Sequence, residues 1–332
     1  MSLRLVQVQL AGQARCVAAL EEDGRAMRLE GVGSTYELAG RALAERVPLE
    51  QAARRLMTAQ TVDISGASPD VRLLAPIDHP DTAHLYLTGT GLTHLGSAES
   101  RDRMHTLAAA DGAQTDSMRI FLEGLTGGKP AAGTAGTQPE WFYKGDGASI
   151  VASGAALEMP AFALDGGEEP EIAGIYLIDP QGLPARLGFC LANEFSDHVT
   201  ERHNYLWLAH SKLRQAALGP ELRLGGLPPD VRGTSRVYRG DRLIWERPFL
   251  TGEANMSHTI ANLEHHHFKY TNFRRPGDVH VHFFWTATLS FADEVRCEPG
   301  DLFDISAEPF LLPLRNRLAR GEGAPFLPVR TL

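Results

Sequence analysis

The stretch that decides the architecture is EPEIAGIYLIDPQGLPARLGFCLANE, residues 169–194. Ile172–Ile178 is a strand-length apolar run, and Asp179-Pro180-Gln181-Gly182 is a turn signal. Arg186–Leu191 is a second apolar run, leading into Ala192-Asn193-Glu194. Run, turn and run spell an antiparallel hairpin. Side chains two residues apart on a strand share a face, so Glu169 and Glu171 project together. An antiparallel return brings Glu194 back beside them. Adjacent carboxylates repel unless a proton or a cation sits between them. Three converging acids make an all-oxygen site suited to Mg²⁺ or Mn²⁺ rather than to Zn²⁺, which prefers nitrogen and sulfur. The alternative is a solvated acidic strand start, since Asp165 and Glu168 lie close by.

Working outward, short apolar runs recur at His84–Leu87, Trp141–Tyr143, Arg236–Tyr238, Leu243–Trp245 and Val279–Trp285, most of them bounded by Pro/Gly/Asp turns. Helical patterns are fewer: Ser97–Ala110, Asp116–Gly124 and Ser257–Tyr270. This predicts a mixed α+β, β-rich body, a roll or sandwich rather than a doubly wound sheet. Residues 1–75 read as a small N-terminal α+β domain. It has strands at Leu5–Leu10 and Cys16–Leu20, a helix over Thr35–Val47 and a second opened by Pro48. Residues 76–332 form the main domain, and Thr126–Gln138, rich in Gly, Thr and Ala, is the candidate lid.

The 332 residues carry 41 acidic against 32 basic side chains, a net charge of −9, with no basic cluster of the kind that nucleic-acid binding requires. No apolar run reaches the roughly 18 residues of a membrane span. Cys16, Cys190 and Cys297 are sparse and far apart, which fits a reducing cytoplasm. Nucleotide-binding motifs and GxSxG are absent. Val279–Trp285 holds more apolar residues than one strand face can bury, so a second layer must cover it; a homodimer would supply one, and so would the same chain.

Glu140 precedes Trp141-Phe142-Tyr143, rings that can exclude water and raise a carboxyl pKa, as a general acid or base requires. His265-His266-His267 on a helix point in three directions and cannot chelate one ion well. His280 and His282 share a strand face without a third clear ligand, and read as structural. His198, His203 and His210 follow the hairpin's exit, where one of them could line a pocket.

Taken in order, these residues resemble the fumarylacetoacetate hydrolase superfamily. The matching segments are Gly89-Thr90-Gly91-Leu92-Thr93, Pro139–Lys144, Glu169-Pro170-Glu171, Asn193-Glu194-Phe195-Ser196, Ser211-Lys212 with Leu218-Gly219-Pro220, and Pro276–Val279 with Thr286-Ala287-Thr288. The resemblance implies a β-roll-like fold over residues 76–318 and a divalent ion on Glu169, Glu171 and Glu194, the last standing where the family usually has Asp. The superfamily's C–C hydrolases carry a motif like G-x-N-Y-x-x-H-x-x-E. Here Thr93 and Ser97 stand at the Asn and His places, and a shifted alignment would make His94 the base. The likeness is greater to the 2-keto-3-deoxy-arabinonate dehydratases. That implies Glu140 and Lys212 as catalytic groups, with Lys144, Ser211, Thr286, Thr288, Arg101, Thr93 and His94 around the substrate. The implied activity is Mg²⁺- or Mn²⁺-dependent dehydration of a 2-keto-3-deoxy pentonate to 2-oxoglutarate semialdehyde, in non-phosphorylative pentose catabolism. The alternatives are C–C hydrolysis of 2,4-diketo acids such as acylpyruvates, and a non-catalytic metabolite-binding protein of the same fold.

Overall fold

The computed structural model describes residues 2–65, 68, 70–95, 115–323 and 326–332. The helix expected over Ser97–Ala110, and with it Ser97 and Arg101, lies outside the described residues. Among the described residues two sheets carry the architecture, one of 13 strands and one of five.

The hairpin read from residues 169–194 is the middle of the larger sheet. Pro170–Ile178 pairs antiparallel with Pro184–Asn193, with a register shift between Ile175 and Tyr176. All nine residues of Pro170–Ile178 are buried. Ala173, Ile175 and Leu177 enter one core with Leu38, Ala39, Ala52 and Ala53, from the helices Thr35–Glu45 and Leu49–Leu56. Ile172 enters a second core, with Phe189, Leu191, Phe303 and Ile305. Two covered faces demand a continuous apolar run, and burying each such large side chain is worth about 1.5–3 kcal/mol.

The second core lies under the five-stranded sheet, ordered Arg242–Thr251, Val231–Arg239, Leu302–Ala307, Leu314–Arg320, Ala156–Met159. At the N-terminal end, Arg4–Leu10 pairs with Cys16–Leu20 on one side and Glu221–Arg223 on the other, which carries those strands into the large sheet. Ser34 caps the first helix by accepting from Glu37 N at 3.0 Å.

Val279–Phe283 runs antiparallel to Pro170–Ile178 and parallel to Leu85–Gly91. Val279, Val281 and Phe283 fill the first core. His280 and His282 point the other way, where the His267 ring stacks on His282 at 4.6 Å and Tyr86 stacks on His280 at 5.1 Å. Both faces are therefore covered within the chain, and the apolar excess of this strand calls for no partner. The segment expected as a lid begins in the last turn of the helix Asp116–Gly127 and continues as a loop fastened to the helix Ile260–Phe268: Gly136 N donates to Asn262 Oδ1 at 2.8 Å and Asn262 Nδ2 to the Thr137 carbonyl at 2.8 Å. No described helix is long and apolar enough to cross a membrane.

Candidate metal and acid–base site

Register puts the three acids together. Pro170 faces Asn193, and one step further Glu194 N donates to the Glu169 carbonyl at 3.1 Å. Glu171 lies two residues along on the same face. Carboxylate oxygens of Glu169, Glu171 and Glu194 lie within 4.8 Å of one another, and all three residues are at most 1% exposed. They are not the solvated strand start that was the alternative.

Two of the three acids have one oxygen pinned and one bare. Glu169 Oε1 accepts from Lys212 Nζ at 2.5 Å and faces His198 Nε2 at 3.0 Å. Glu171 Oε2 accepts from Trp285 N at 2.8 Å. Glu169 Oε2, Glu171 Oε1 and both oxygens of Glu194 are buried with no hydrogen-bond partner among the described residues, although Glu194 Oε1 lies 3.4 Å from Lys212 Nζ and 3.6 Å from Lys144 Nζ. Buried polar atoms without partners are costly, and carboxylate oxygens from three acids within 4.8 Å of one another suit a hard divalent cation such as Mg²⁺ or Mn²⁺.

The electrostatics follow the same division. Burial alone would raise Glu169, but the Lys212 ammonium and His198 outweigh it and hold its carboxyl below the ordinary range. Glu171 is pushed well up by burial and by the carboxylates of Glu194 and Glu169. Glu194 is raised by burial, with Lys212 opposing. Burial opposes the charge on Lys212, yet Glu169, Glu194 and Glu201 raise its pKa and keep it an ammonium. Burial brings Lys144 down to about 8.

A neighbouring strand supplies the wall. On Glu140–Asp146 the side chains of Glu140, Phe142 and Lys144 alternate inward and are buried. Glycine is required opposite them: a Cβ at Gly89 would meet the Phe142 ring at 2.4 Å, and one at Gly91 would meet Glu140 Oε2 at 1.6 Å. The Gly-x-Gly of the sequence thus makes room for a carboxylate laid across the adjacent strand. Lys212 Nζ sits 5.4 Å from the centre of the Phe142 ring and 4.6 Å from that of Trp285. Trp285 holds φ at +84°, a left-handed conformation that costs a side-chain-bearing residue of the order of 1–3 kcal/mol.

The structure brings together Glu169, Glu171, Glu194, Lys212 and Lys144, with Glu140 on the same strand face as Lys144. Lys144 Nζ donates to the carbonyls of Phe195 at 2.7 Å and Lys212 at 3.0 Å and stands 3.6 Å from Glu194. Ser211 donates to the Leu208 carbonyl at 2.7 Å within its short helix. Thr93 donates to the Phe284 carbonyl, next to Trp285. His94 is buried, its ring 2.9 Å from the Thr251 hydroxyl and 3.3 Å from that of Thr93, and burial lowers its pKa to about 3. Thr286 is buried beside Trp285, whereas the Thr288 hydroxyl donates to the Pro248 carbonyl at 3.2 Å.

Sequence reasoning missed the surroundings of Glu169. His198 lies between Glu169 and Asp165 Oδ2, the latter at 3.3 Å, and these bonds overcome burial to raise its pKa to about 10. Glu201 is buried 3.8 Å from Lys212. The one signal was the crowding of His and acids after Asn193.

No family model and no curated protein sequence matches the chain, but solved structures do. An apo 2-keto-3-deoxy-D-arabinonate dehydratase superposes with a TM-score of 0.69 at 19% identity, over 96% of this chain and all of that one. The same enzyme complexed with magnesium and 2,5-dioxopentanoate gives 0.69 at 17%, with the same coverage. The chain has the fumarylacetoacetate hydrolase fold. A 5-carboxymethyl-2-hydroxymuconate delta-isomerase from Mycobacterium smegmatis also matches, at 0.58 and 18%, over 96% of this chain and all of that one. At these identities the likeness is one of fold, and the chemistry rests on the residues above.

Proposed function

We propose that this protein is a divalent-metal-dependent hydro-lyase that dehydrates a 2-keto-3-deoxy sugar acid, a pentonate, to 2-oxoglutarate semialdehyde, serving non-phosphorylative pentose catabolism. The observation that carries the reading is the buried acid triad, four of whose oxygens accept no hydrogen bond, beside the Lys212 ammonium, with Glu140 held across Gly91 on the adjoining wall. A cation held there supplies the positive charge that polarises a 2-oxo group and makes its neighbouring C3–H acidic.

The chain's own groups do the rest. Lys212, charged and fixed by Glu169, stabilises negative charge on the substrate oxygen. Phe142 and Trp285 exclude water around its ammonium, strengthening that interaction. Glu140 takes the C3 proton as a carboxylate and returns it to the C4 hydroxyl, which departs as water, a transfer open to a buried carboxyl held against the substrate. Lys144 holds the backbone of Phe195 and Lys212, so the third acid and the ammonium keep their spacing. Mg²⁺ or Mn²⁺ fits the oxygen-only donor set.

The hydrolase alternative requires His94 to activate water. Its ring nitrogens are already met by the Thr93 and Thr251 hydroxyls, which favours dehydration. Steady-state assays of the metal-loaded protein on a panel of 2-keto-3-deoxy acids and acylpyruvates test the reading. Turnover of the sugar acids supports it; turnover of acylpyruvates alone replaces it with hydrolysis. A homodimer in the cytoplasm completes the proposal. The exposed apolar side chains of Phe162, Leu164, Leu206 and Leu213 support self-association, and light scattering that finds only a single-chain mass contradicts it.

A further inference from the structure

We propose that Glu168 is a positioning residue: it latches the segment Trp285–Phe291 against the acid site through Ser290, and so sets the affinity for a 2-oxo acid. The proposal rests on the metal-dependent 2-oxo acid reading above.

Glu169 and Glu171 join the acid cluster, whereas Glu168, just before the strand, turns to Ser290. There Glu168 is fully buried, and each of its oxygens accepts from one residue: Ser290 N at 2.8 Å and Ser290 Oγ at 2.8 Å. A buried carboxyl satisfied only by neutral donors is an expensive way to join two segments. What it joins is the strand that presents two metal-site acids and a segment touching that site at three points. Trp285 N donates to Glu171 while its ring covers Lys212. Ser290 is the latch. Phe291 stacks on His198, 5.1 Å between ring centres with planes 22° apart, and His198 bonds Glu169.

The span Thr286–Leu289 is thus fastened at both ends to the same four residues. Its first fastening includes a left-handed tryptophan, a conformation that persists only where the surroundings hold it. A ligand caught between this span and the bare carboxylate oxygens meets two walls at a fixed separation. Releasing one end lets that separation vary, and binding must then meet the cost of ordering the loosened segment.

The test uses the full-length protein loaded with Mg²⁺ and titrated calorimetrically with pyruvate, the simplest 2-oxo acid, alongside titration with Mg²⁺ alone. Glu168→Ala is expected to weaken pyruvate binding by on the order of 10- to 100-fold, leave Mg²⁺ affinity unchanged, and speed amide exchange at Trp285 and Ser290. Glu168→Gln can still accept from Ser290 N and donate to its hydroxyl oxygen, and should restore pyruvate affinity. Ser290→Ala keeps one of the two bonds and should give a smaller loss, readable even if Glu168→Ala fails to fold. Equal losses of Mg²⁺ and pyruvate affinity, faster exchange with unaltered pyruvate binding, or a wild-type protein that binds no pyruvate would each overturn the proposal. Wild-type protein that binds pyruvate but dehydrates no sugar acid refutes the proposed reaction instead, and the Glu168 comparison still decides the latch.

Discussion

Gly91 and Glu140 face each other across paired strands, and the Glu140 carboxylate occupies the volume that a Cβ at residue 91 would need. The acid–base group is therefore placed by the absence of a side chain as much as by its own strand. Gly91→Ala should displace the carboxylate and lower turnover by on the order of 100-fold, while metal affinity, set on another strand, stays unchanged. Steady-state kinetics with parallel metal titration checks this; an alanine variant of full activity contradicts the placement.

Glu140→Gln removes the carboxylate that takes and returns the proton and keeps the shape. Turnover should fall about 10²–10⁴-fold with metal and substrate binding retained. A variant that turns over at the wild-type rate would assign the proton transfer elsewhere.

Burial raises both Glu171 and Glu194, with the neighbouring carboxylates adding to it at Glu171 and Lys212 opposing it at Glu194, so without a cation they are a source of strain in the fold. Glu171→Gln should weaken Mg²⁺ binding sharply yet raise the Tm of the metal-free protein. Wild-type Tm should rise with added Mg²⁺, since a ligand that binds only the native state stabilises it by mass action. Scanning calorimetry with and without Mg²⁺ reads both effects, and an unchanged wild-type Tm at saturating Mg²⁺ would count against a cation at the triad.

Burial lowers His280 and His282 to about 3 and holds His267 well below the ordinary histidine value. Trp141 Nε1 donates to His267 Nδ1 at 3.2 Å, so the His267 proton sits on Nε2 and is shared with His280 Nδ1 at 3.0 Å. All three rings are neutral in the fold and ordinary histidines when unfolded. The unfolded state then binds more protons below about pH 6.5, so their contribution is fully present above that value and is lost as pH falls toward about 3. The slope is up to about 1.4 kcal/mol per pH unit for each ring. A His280→Gln/His282→Gln variant should show a flatter fall of Tm between about pH 7 and about pH 4. Parallel curves would mean that other groups govern acid stability.

The hairpin and its acids were legible because strand alternation and antiparallel return are short-range rules: residues 169, 171 and 194 converge from spacing alone. The resemblance carried Glu140 and Lys212, which spacing could not place, since Lys212 reaches Glu169 across 43 positions of chain. The Glu168–Ser290 latch and the His198 bridge to Asp165 were illegible for a physical reason. Each depends on which face of a segment a distant loop covers, and the local pattern of Asp165, Glu168 and Glu169 reads the same whether solvated or sealed. Val279–Trp285 shows the converse, since its two-faced apolar pattern demanded a second layer but could not say that His267, Trp141 and Tyr86 of the same chain supply it.

The most direct test is to follow 2-keto-3-deoxy-arabinonate by NMR with the Mg²⁺-loaded protein, and again after the metal is chelated. The account predicts conversion to 2,5-dioxopentanoate, stopped by chelation and restored by added Mg²⁺. Intact sugar acid in the presence of bound metal, or conversion that proceeds undiminished after chelation, would contradict it.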